Sequence, residues 1–133
     1  MLVDTNVVSE LMRAKPAAAV VDWAEHQGGM SLSVITLEEI LVGLSHRPSE
    51  RLSRWFDQFV KVHCEVLGVT DSIARRSARL RGELRRSGKQ RTQADMLIAA
   101  TALEHDLALA TRNVKDFEGC GVALVNPFER IVR

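Results

Sequence analysis

Short apolar runs, bounded by polar or small residues, recur along the chain and predict buried strands. Most of these runs lack the alternation of apolar and polar residues that is typical of a half-solvated sheet. A sheet with both faces covered is expected to be parallel, with helices on each side. The runs that predict its five strands are Met1–Val3, Met30–Ile35, Glu65–Val69, Leu107–Ala110 and Val122–Val125.

Between the runs, apolar residues recur at the three-to-four-residue spacing of helices. One such segment is predicted to open at Pro16 and to end at Gly28. One pair of helices should be separated near Pro48 and another pair near Gly88. Strand–helix alternation over residues 1–133 predicts a single α/β domain, a three-layer α/β/α sandwich with a central, mainly parallel sheet.

Composition narrows the classes of function. Aromatic residues make up 5% of the chain and Tyr is absent, which argues against a base-stacking platform. No apolar run approaches the roughly 18 residues that span a bilayer, and no charged-then-apolar leader opens the chain, so no membrane association is expected. Cys64 and Cys120 have no CxxC partner. They are expected to be reduced thiols of a cytoplasmic protein.

Four acidic residues map to one edge of the predicted sheet, where ligands of α/β folds bind. Asp4 follows the first strand and Asp116 the fourth, while Glu39 and Asp95 should lie in the first turns of two helices. Two like charges about 4 Å apart repel by roughly 4 kcal/mol at an effective dielectric near 20. Four converging carboxylates therefore need a cation. Ligands that are all oxygen favour Mg²⁺, or Mn²⁺, over zinc.

Each acid also has a structural interpretation. Glu39 and Asp95 each follow a threonine by three residues, which is the spacing of a capping box. Asp116 alone is typical of a solvated turn. Asp4 is hard to explain by packing, because it directly follows an apolar strand. The convergence of all four acids is what favours a metal site.

Other chemistries find little support in the sequence. The histidines lack the spacing of a zinc site, and His26, His46 and His105 are expected at helix ends, where a cation is favoured. Neither the GxSxG motif of a serine nucleophile nor a glycine-rich nucleotide loop is present. A metal-dependent phosphatase with a strand-end Asp nucleophile usually carries a second acid two residues on, where this chain has Asn6.

Several segments together resemble a known family. They read LVDTNVVSEL at 2–11, SVIT at 33–36 running through Glu39 to Gly43, ADMLIAATA at 94–102, LATRNVKDF at 109–117 and VNPF at 125–128. In order and spacing they resemble the PIN-domain ribonucleases, specifically the VapC-type toxins of bacterial toxin–antitoxin pairs. The resemblance covers nearly the whole chain.

The resemblance implies metal-dependent endonucleolytic cleavage of RNA. The positions that match its catalytic and metal-binding acids are Asp4, Glu39, Asp95 and Asp116, and those that match supporting residues are Asn6, Thr111 and Asn113. Some relatives carry an acid where this chain has Asn113, so the share of work between Asn113 and Asp116 stays open. Glu38 beside Glu39 is a second alternative, although the spacing to Gly43 favours Glu39.

A strongly basic segment leads into Asp95. This basic segment, from Arg75 to Arg91, carries eight basic residues and one acid, Glu83. It could supply sequence-independent affinity for the nucleic-acid backbone. A solvated helix face is the structural alternative. The predicted nucleic-acid contacts are Arg75, Arg79, Arg85, Arg86, Lys89 and Arg91.

The resemblance also implies two protein partners, a small cognate antitoxin and a second copy of the chain in a homodimer. Large apolar residues on the predicted helices give a physical reason, since some would stay exposed unless another chain covered them; alternatively, all pack into the single core. The residues in question are Leu11, Met12, Val20, Trp23, Leu52, Trp55, Phe56 and Phe59. A non-catalytic RNA-binding or protein-interaction domain of the same fold remains the alternative function, and DNA remains an alternative substrate.

Overall fold

The computed structural model describes residues 1–129 of the chain. Its sheet has five strands in the order β3-β2-β1-β4-β5, and every pairing is parallel. All five strands predicted from the apolar runs are confirmed, although each is shorter or shifted by a residue or more. Their bounds are β1 Leu2–Val3, β2 Met30–Ser33, β3 Cys64–Leu67, β4 Leu109–Ala110 and β5 Leu124–Val125.

Helices connect these strands and cover both faces of the sheet. The predicted breaks near Pro48 and Gly88 are confirmed, and Gly88 has a φ of 80° just after a helix end. The helices are α1 Thr5–Met12, α2 Ala18–Glu25, α3 Val34–His46, α4 Glu50–His63, α5 Asp71–Arg86 and α6 Gln93–Glu104, with a short 3₁₀ helix at Val114–Phe117.

Two of these elements differ from the sequence prediction. Helix α2 begins at Ala18 and not at Pro16, and no side chain caps its first turn. The start and end of helix α1 were not predicted, although Leu11 and Met12 were assigned to a helix, because α1 follows β1 with only Asp4 between them. The chain therefore passes from a buried strand into a helix within a single residue.

The core consists of two apolar layers, one on each face of the sheet. Neighbouring residues of a strand point to opposite faces, and β1 illustrates this. Leu2 packs in the layer that contains Met96 and Phe117, whereas Val3 packs in the layer that contains Val7 and Phe56. The three-layer α/β/α sandwich is confirmed.

Two further expectations concern the cysteines and the membrane. Cys64 and Cys120 are both free thiols, as predicted. Within residues 1–129, none of the helices has the length and apolar character required to cross a bilayer.

Candidate active site

Strand register places Asp4 beside Thr111 at the carboxyl edge of the sheet. Val3 pairs with Ala110, and the Asp4 backbone N–H donates to the Ala110 carbonyl at 2.9 Å. Asp4 and Thr111, the residues that follow this pair, therefore lie side by side at the ends of neighbouring strands. Asp4 also caps α1, since its Oδ1 accepts a hydrogen bond from the Thr5 backbone N–H at 2.8 Å.

Asp4 is a buried carboxylate that hydrogen bonds hold in place. Only 5% of it is exposed, and its Oδ2 accepts bonds from the Thr111 hydroxyl at 2.7 Å and from the Asn6 amide at 3.0 Å. Burial raises the pKa of Asp4, and the nearby charge of Asp116 raises it further. The hydrogen bonds from Thr111, Thr5 and Asn6 oppose this rise. They fix the direction of both carboxylate oxygens.

Thr5 links Asp4 to Glu39. Its hydroxyl donates to Glu39 Oε1 at 2.9 Å and lies 3.2 Å from the hydroxyl of buried Thr36. The same residue thus contacts Asp4 through its backbone and Glu39 through its side chain. The contact also favours Glu39 over its neighbour Glu38 as the site residue.

The capping-box interpretation of Glu39 is wrong. Helix α3 begins at Val34, and its cap is Ser33, whose Oγ accepts a hydrogen bond from the Ile35 N–H at 3.0 Å. Thr36 is buried inside the helix. Glu39 therefore lies in the second turn of α3 and not, as the sequence predicted, in the first.

The prediction that Asp95 lies in the first turn of a helix is confirmed. Thr92 caps α6, and its Oγ1 accepts a hydrogen bond from the Asp95 N–H at 3.1 Å. Burial raises the pKa of the Asp95 carboxyl, and the charges of Asp4, Asp116 and Glu39 raise it further, against a hydrogen bond from Thr92. The other three predicted acids therefore all act electrostatically on Asp95.

The fourth position is supported more by Asp116 than by Asn113. Asp116 lies on the 3₁₀ helix, and its charge acts on both Asp4 and Asp95. Asn113 precedes this helix without capping it through its side chain. Its backbone N–H donates to Thr111 Oγ1 at 3.0 Å, so Asn113 supports the site through its main chain.

The four acids act on one another electrostatically but are not clustered tightly. In the described part of the chain, none of them forms an ion pair with a basic side chain. Among the same residues, no three Asp, Glu, His or Cys side chains are close enough to hold a metal together as they stand. The site is therefore an uncompensated negative cluster with oxygen donors only.

The chain is similar to known proteins over nearly its whole length. The PIN domain family profile matches residues 1–118, and VapC ribonuclease Y4jK of Sinorhizobium fredii is 37% identical over 97% of this chain and 98% of its own. The chain belongs to the PIN-domain family, in its VapC group. The tRNA(fMet)-specific endonuclease VapC of Shigella flexneri is 30% identical, over 90% of this chain and 91% of its own. A solved toxin–antitoxin complex from Klebsiella pneumoniae contains a chain that superposes with a TM-score of 0.77 at 29% identity, covering 97% of this chain and 98% of that one.

The basic segment of this VapC-group protein divides into two kinds of residue. Arg75 forms an ion pair with Asp71, at 2.6 Å between Nε and Oδ1, and the Nη2 of Arg91 donates to the Glu118 carbonyl at 2.9 Å. The remaining predicted contacts are exposed, and their side chains have no hydrogen bond or ion pair within residues 1–129. They are Arg79, Arg85, Arg86 and Lys89.

Two site residues of this VapC-group protein were missed by the sequence analysis. They are Thr5 and Thr36, and Thr5 reaches both Glu39 and Thr36 only because α1 packs against α3. A signal for Thr5 existed in its place directly after Asp4, at the first position of a helix whose apolar residues, Val7, Val8 and Leu11, recur at helical spacing. No comparable signal marks Thr36, which the spacing assigned to a cap.

Proposed function

We propose that this VapC-group protein is a Mg²⁺-dependent endoribonuclease, able to use Mn²⁺, that acts as the toxin of a toxin–antitoxin pair in the cytoplasm. The observation that carries the proposal is the coupled acid cluster at the carboxyl edge of the sheet. Its four members, Asp4, Glu39, Asp95 and Asp116, lack a basic partner in the described part of the chain. The names of its relatives, a VapC ribonuclease and a tRNA-specific endonuclease, support the same reaction.

The donor set fits a hard divalent cation. Carboxylate oxygens are the ligands that Mg²⁺ prefers, and a cation would relieve the charge that raises the pKa of Asp95. Asp4 is buried and Asp95 half-buried, whereas Glu39 and Asp116 are exposed and have more rotamers open to them. These four residues would hold the ion. Once bound, it would supply a water of lowered pKa and neutralise charge on the attacked phosphate.

The chain's own residues prepare this chemistry. Thr111, Asn6 and the N–H of Thr5 fix the Asp4 carboxylate, and the Thr5 hydroxyl fixes Glu39. The exposed arginines of α5 would attract the RNA backbone toward the cluster. Without a cation the carboxylates would repel the substrate, so we expect cleavage to depend entirely on the metal.

The decisive experiment incubates metal-free protein with pooled cellular RNA, with and without Mg²⁺, and maps the new ends. We expect cleavage only with Mg²⁺, and a parallel incubation with DNA identifies the nucleic acid that is cut. Glu39→Gln should abolish cleavage, and Glu38→Gln, which removes the neighbouring exposed acid, is the matched control. Binding of RNA without cleavage under any metal would instead support the non-catalytic alternative.

The toxin role has a cellular readout. Expression of the chain alone should arrest growth of a bacterial host, because RNA cleavage would proceed without an inhibitor. Expression of the Asp95→Asn protein at the same level should leave growth normal. Arrest by both proteins would show that toxicity does not come from the acid cluster.

A second prediction concerns the exposed basic residues. Replacing Arg79, Arg85 and Arg86 together by Gln should weaken RNA binding and flatten its salt dependence, while the chemical step changes less. For single-stranded RNA, each arginine that no longer neutralises a phosphate should reduce the log–log salt slope by roughly 0.7. Replacing Lys15, Arg47 and Lys61, three exposed basic residues elsewhere, is a control of equal charge. Equal slopes for the two triple variants would assign the arginines to a solvated face.

We assign the antitoxin to an apolar groove between α1, α2 and α4. The groove has a volume of about 840 Å³, and Trp55 stacks on Phe59 along it with ring centroids 4.9 Å apart. Its apolar lining would accept the apolar face of a helix. A neighbouring cationic side chain of such a partner could then occupy the acid cluster in place of metal. The main apolar lining residues are Leu11, Val21, Met30, Trp55, Phe59 and Val62.

We assign the homodimer contact to α3. Leu41 and Val42 are adjacent on this helix and expose 43% and 57% of their surface, which is unusual for large apolar residues. Light scattering should report a dimer at micromolar concentration, and Val42→Lys should convert it to a monomer. Val62→Lys, an equally exposed valine on α4, is the control and should stay dimeric. A monomeric wild-type protein would remove the dimer and leave the nuclease proposal untouched.

A further inference from the structure

Two arginines connect the segments that carry Asp95 and Asp116. The Nε of Arg81, on α5, donates to the carbonyl of Arg91 at 3.2 Å, and Arg91 Nη2 donates to the carbonyl of Glu118 at 2.9 Å. Arg91 immediately precedes the residue that caps α6, whose first turn carries Asp95. Glu118 is the residue at which the 3₁₀ helix with Asp116 ends.

Arg91 is half-buried. Its Nε is buried and finds no hydrogen-bond partner within residues 1–129, so a single Nη2–carbonyl bond makes the connection. Arg91 and Asp95 both influence the buried thiol of Cys120, whose pKa burial raises, Arg91 lowers and Asp95 raises. Arg91 and Asp95 therefore both lie near Cys120, in the segment that follows Glu118.

The segment that receives this bond has little freedom. Phe117 is buried in the core, and Cys120 Sγ lies 3.8 Å from Met96 Sδ on α6. Between them, Gly119 has a φ of 84°, and a Cβ there would lie 3.3 Å from Leu84 Cδ2 on α5. A side chain is disfavoured at that φ. These contacts restrain the chain on both sides of Glu118, whose carbonyl accepts the bond from Arg91.

We propose that Arg91 is a positioning residue that sets the placement of Asp116 relative to Asp95, by holding the end of the 3₁₀ helix against the start of α6. It replaces the sequence-based assignment of Arg91 to the nucleic-acid interface. Asp95 lies in the first turn of α6, whereas Asp116 is exposed, and the Arg91 bond restrains its backbone from the side of Glu118. This inference rests on the proposed function, but the effect of Arg91 on the backbone of residues 116–118 can be tested separately.

The test compares Arg91→Met with Arg91→Lys and with Arg79→Met, an exposed arginine of the same basic segment. Arg91→Met should lower both kcat and the affinity for Mn²⁺, measured by calorimetry, by about 10- to 100-fold, the range for loss of a residue that orients a metal ligand. Its salt slope for RNA binding should equal that of the wild type. Arg91→Lys should recover part of both losses, because one ammonium donor can replace the single Nη2 bond. Arg79→Met should show the opposite pattern.

Amide hydrogen exchange separates positioning from general instability. Exchange at residues 116–118 should accelerate in Arg91→Met, while the amides of β1 and α5 keep their wild-type rates. Arg81→Met removes the hydrogen bond from Arg81 to the Arg91 carbonyl. It should accelerate exchange at the same residues, but less. If Arg91→Met unfolds, Arg91→Lys and Arg81→Met carry the test.

Different results would overturn the role of Arg91 and the proposed function. Absence of RNA cleavage by the wild type would overturn the function, while Mn²⁺ binding and hydrogen exchange would still report on Arg91. Unchanged exchange at residues 116–118 in Arg91→Met would overturn the inference whatever the activity. A reduced salt slope with normal kcat and Mn²⁺ affinity would also overturn it, and would return Arg91 to the RNA contacts.

Discussion

Asp95→Asn is expected to abolish RNA cleavage, by at least about 100-fold, and to stabilise the metal-free protein at neutral pH. Burial and the charges of Asp4, Asp116 and Glu39 raise the pKa of Asp95 in the folded state. Ionised Asp95 therefore opposes folding at every pH above its folded pKa. This penalty disappears below the pKa of the unfolded chain, where the carboxyl is protonated in both states.

Thermal unfolding in a chelator at pH 7 and at pH 4 measures this effect. Asp95→Asn should unfold about 2–5 °C above the wild type at pH 7, the shift expected from roughly 1 kcal/mol in a domain of this size. The difference should shrink at pH 4, and Mg²⁺ should raise the unfolding temperature of the wild type only.

Asp71→Asn is the matched control, because Asp71 lies in the first turn of α5 with Arg75 as its ion-pair partner. Removing its charge should destabilise slightly at pH 7. If Asp95→Asn lost stability in the same way, Asp95 would be a helix-capping acid without a metal role.

The sheet and the acid cluster were predictable because both depend on patterns local to the sequence. Buried parallel strands leave apolar runs, and an acid after such a run, such as Asp4, falls at the carboxyl edge wherever the strand pairs. The start of helix α1 was hidden because one residue, Asp4, both ends β1 and caps the helix, so no turn residues separate the two elements. Missing the start of α1 also meant missing Thr5.

The wrong assignment of the α3 cap and the unresolved roles of the basic residues both concern choices that tertiary contacts decide. Ser33 and Thr36 both have side chains able to cap α3, and only the end of β2 at Ser33 selects the former. Arg79 and Arg91 are equivalent as letters in a basic segment. The structure separates them, because the carbonyl of Glu118, 27 residues along the chain, accepts a bond from Arg91.

Asp4→Asn should also abolish cleavage, but it should destabilise the fold where Asp95→Asn stabilises it. The Asn6 amide group donates to Asp4 Oδ2, and the Asn6 oxygen is already committed to the Arg112 N–H at 3.0 Å, which fixes the orientation of this side chain. Thr111 Oγ1 accepts the Asn113 N–H and so directs its own proton to Asp4. An amide at position 4 would therefore set its NH₂ either against these two donors or, in the flipped orientation, against the Thr5 backbone N–H.

Two opposing free-energy changes decide whether Asp4→Asn stabilises or destabilises the fold. Even in the better orientation one donor loses its acceptor, which costs about 1–3 kcal/mol. The relief from removing the Asp4 charge is limited, because three hydrogen bonds already oppose the burial penalty on its pKa. Urea unfolding in a chelator at pH 7 should rank Asp95→Asn above the wild type and Asp4→Asn below it. Thr111→Val removes one of the donors and keeps all four acids, so it should also lose stability while retaining part of the activity. If Asp4→Asn were as stable as Asp95→Asn, charge repulsion alone would govern both positions, and the hydrogen bonds around Asp4 would contribute little to the fold.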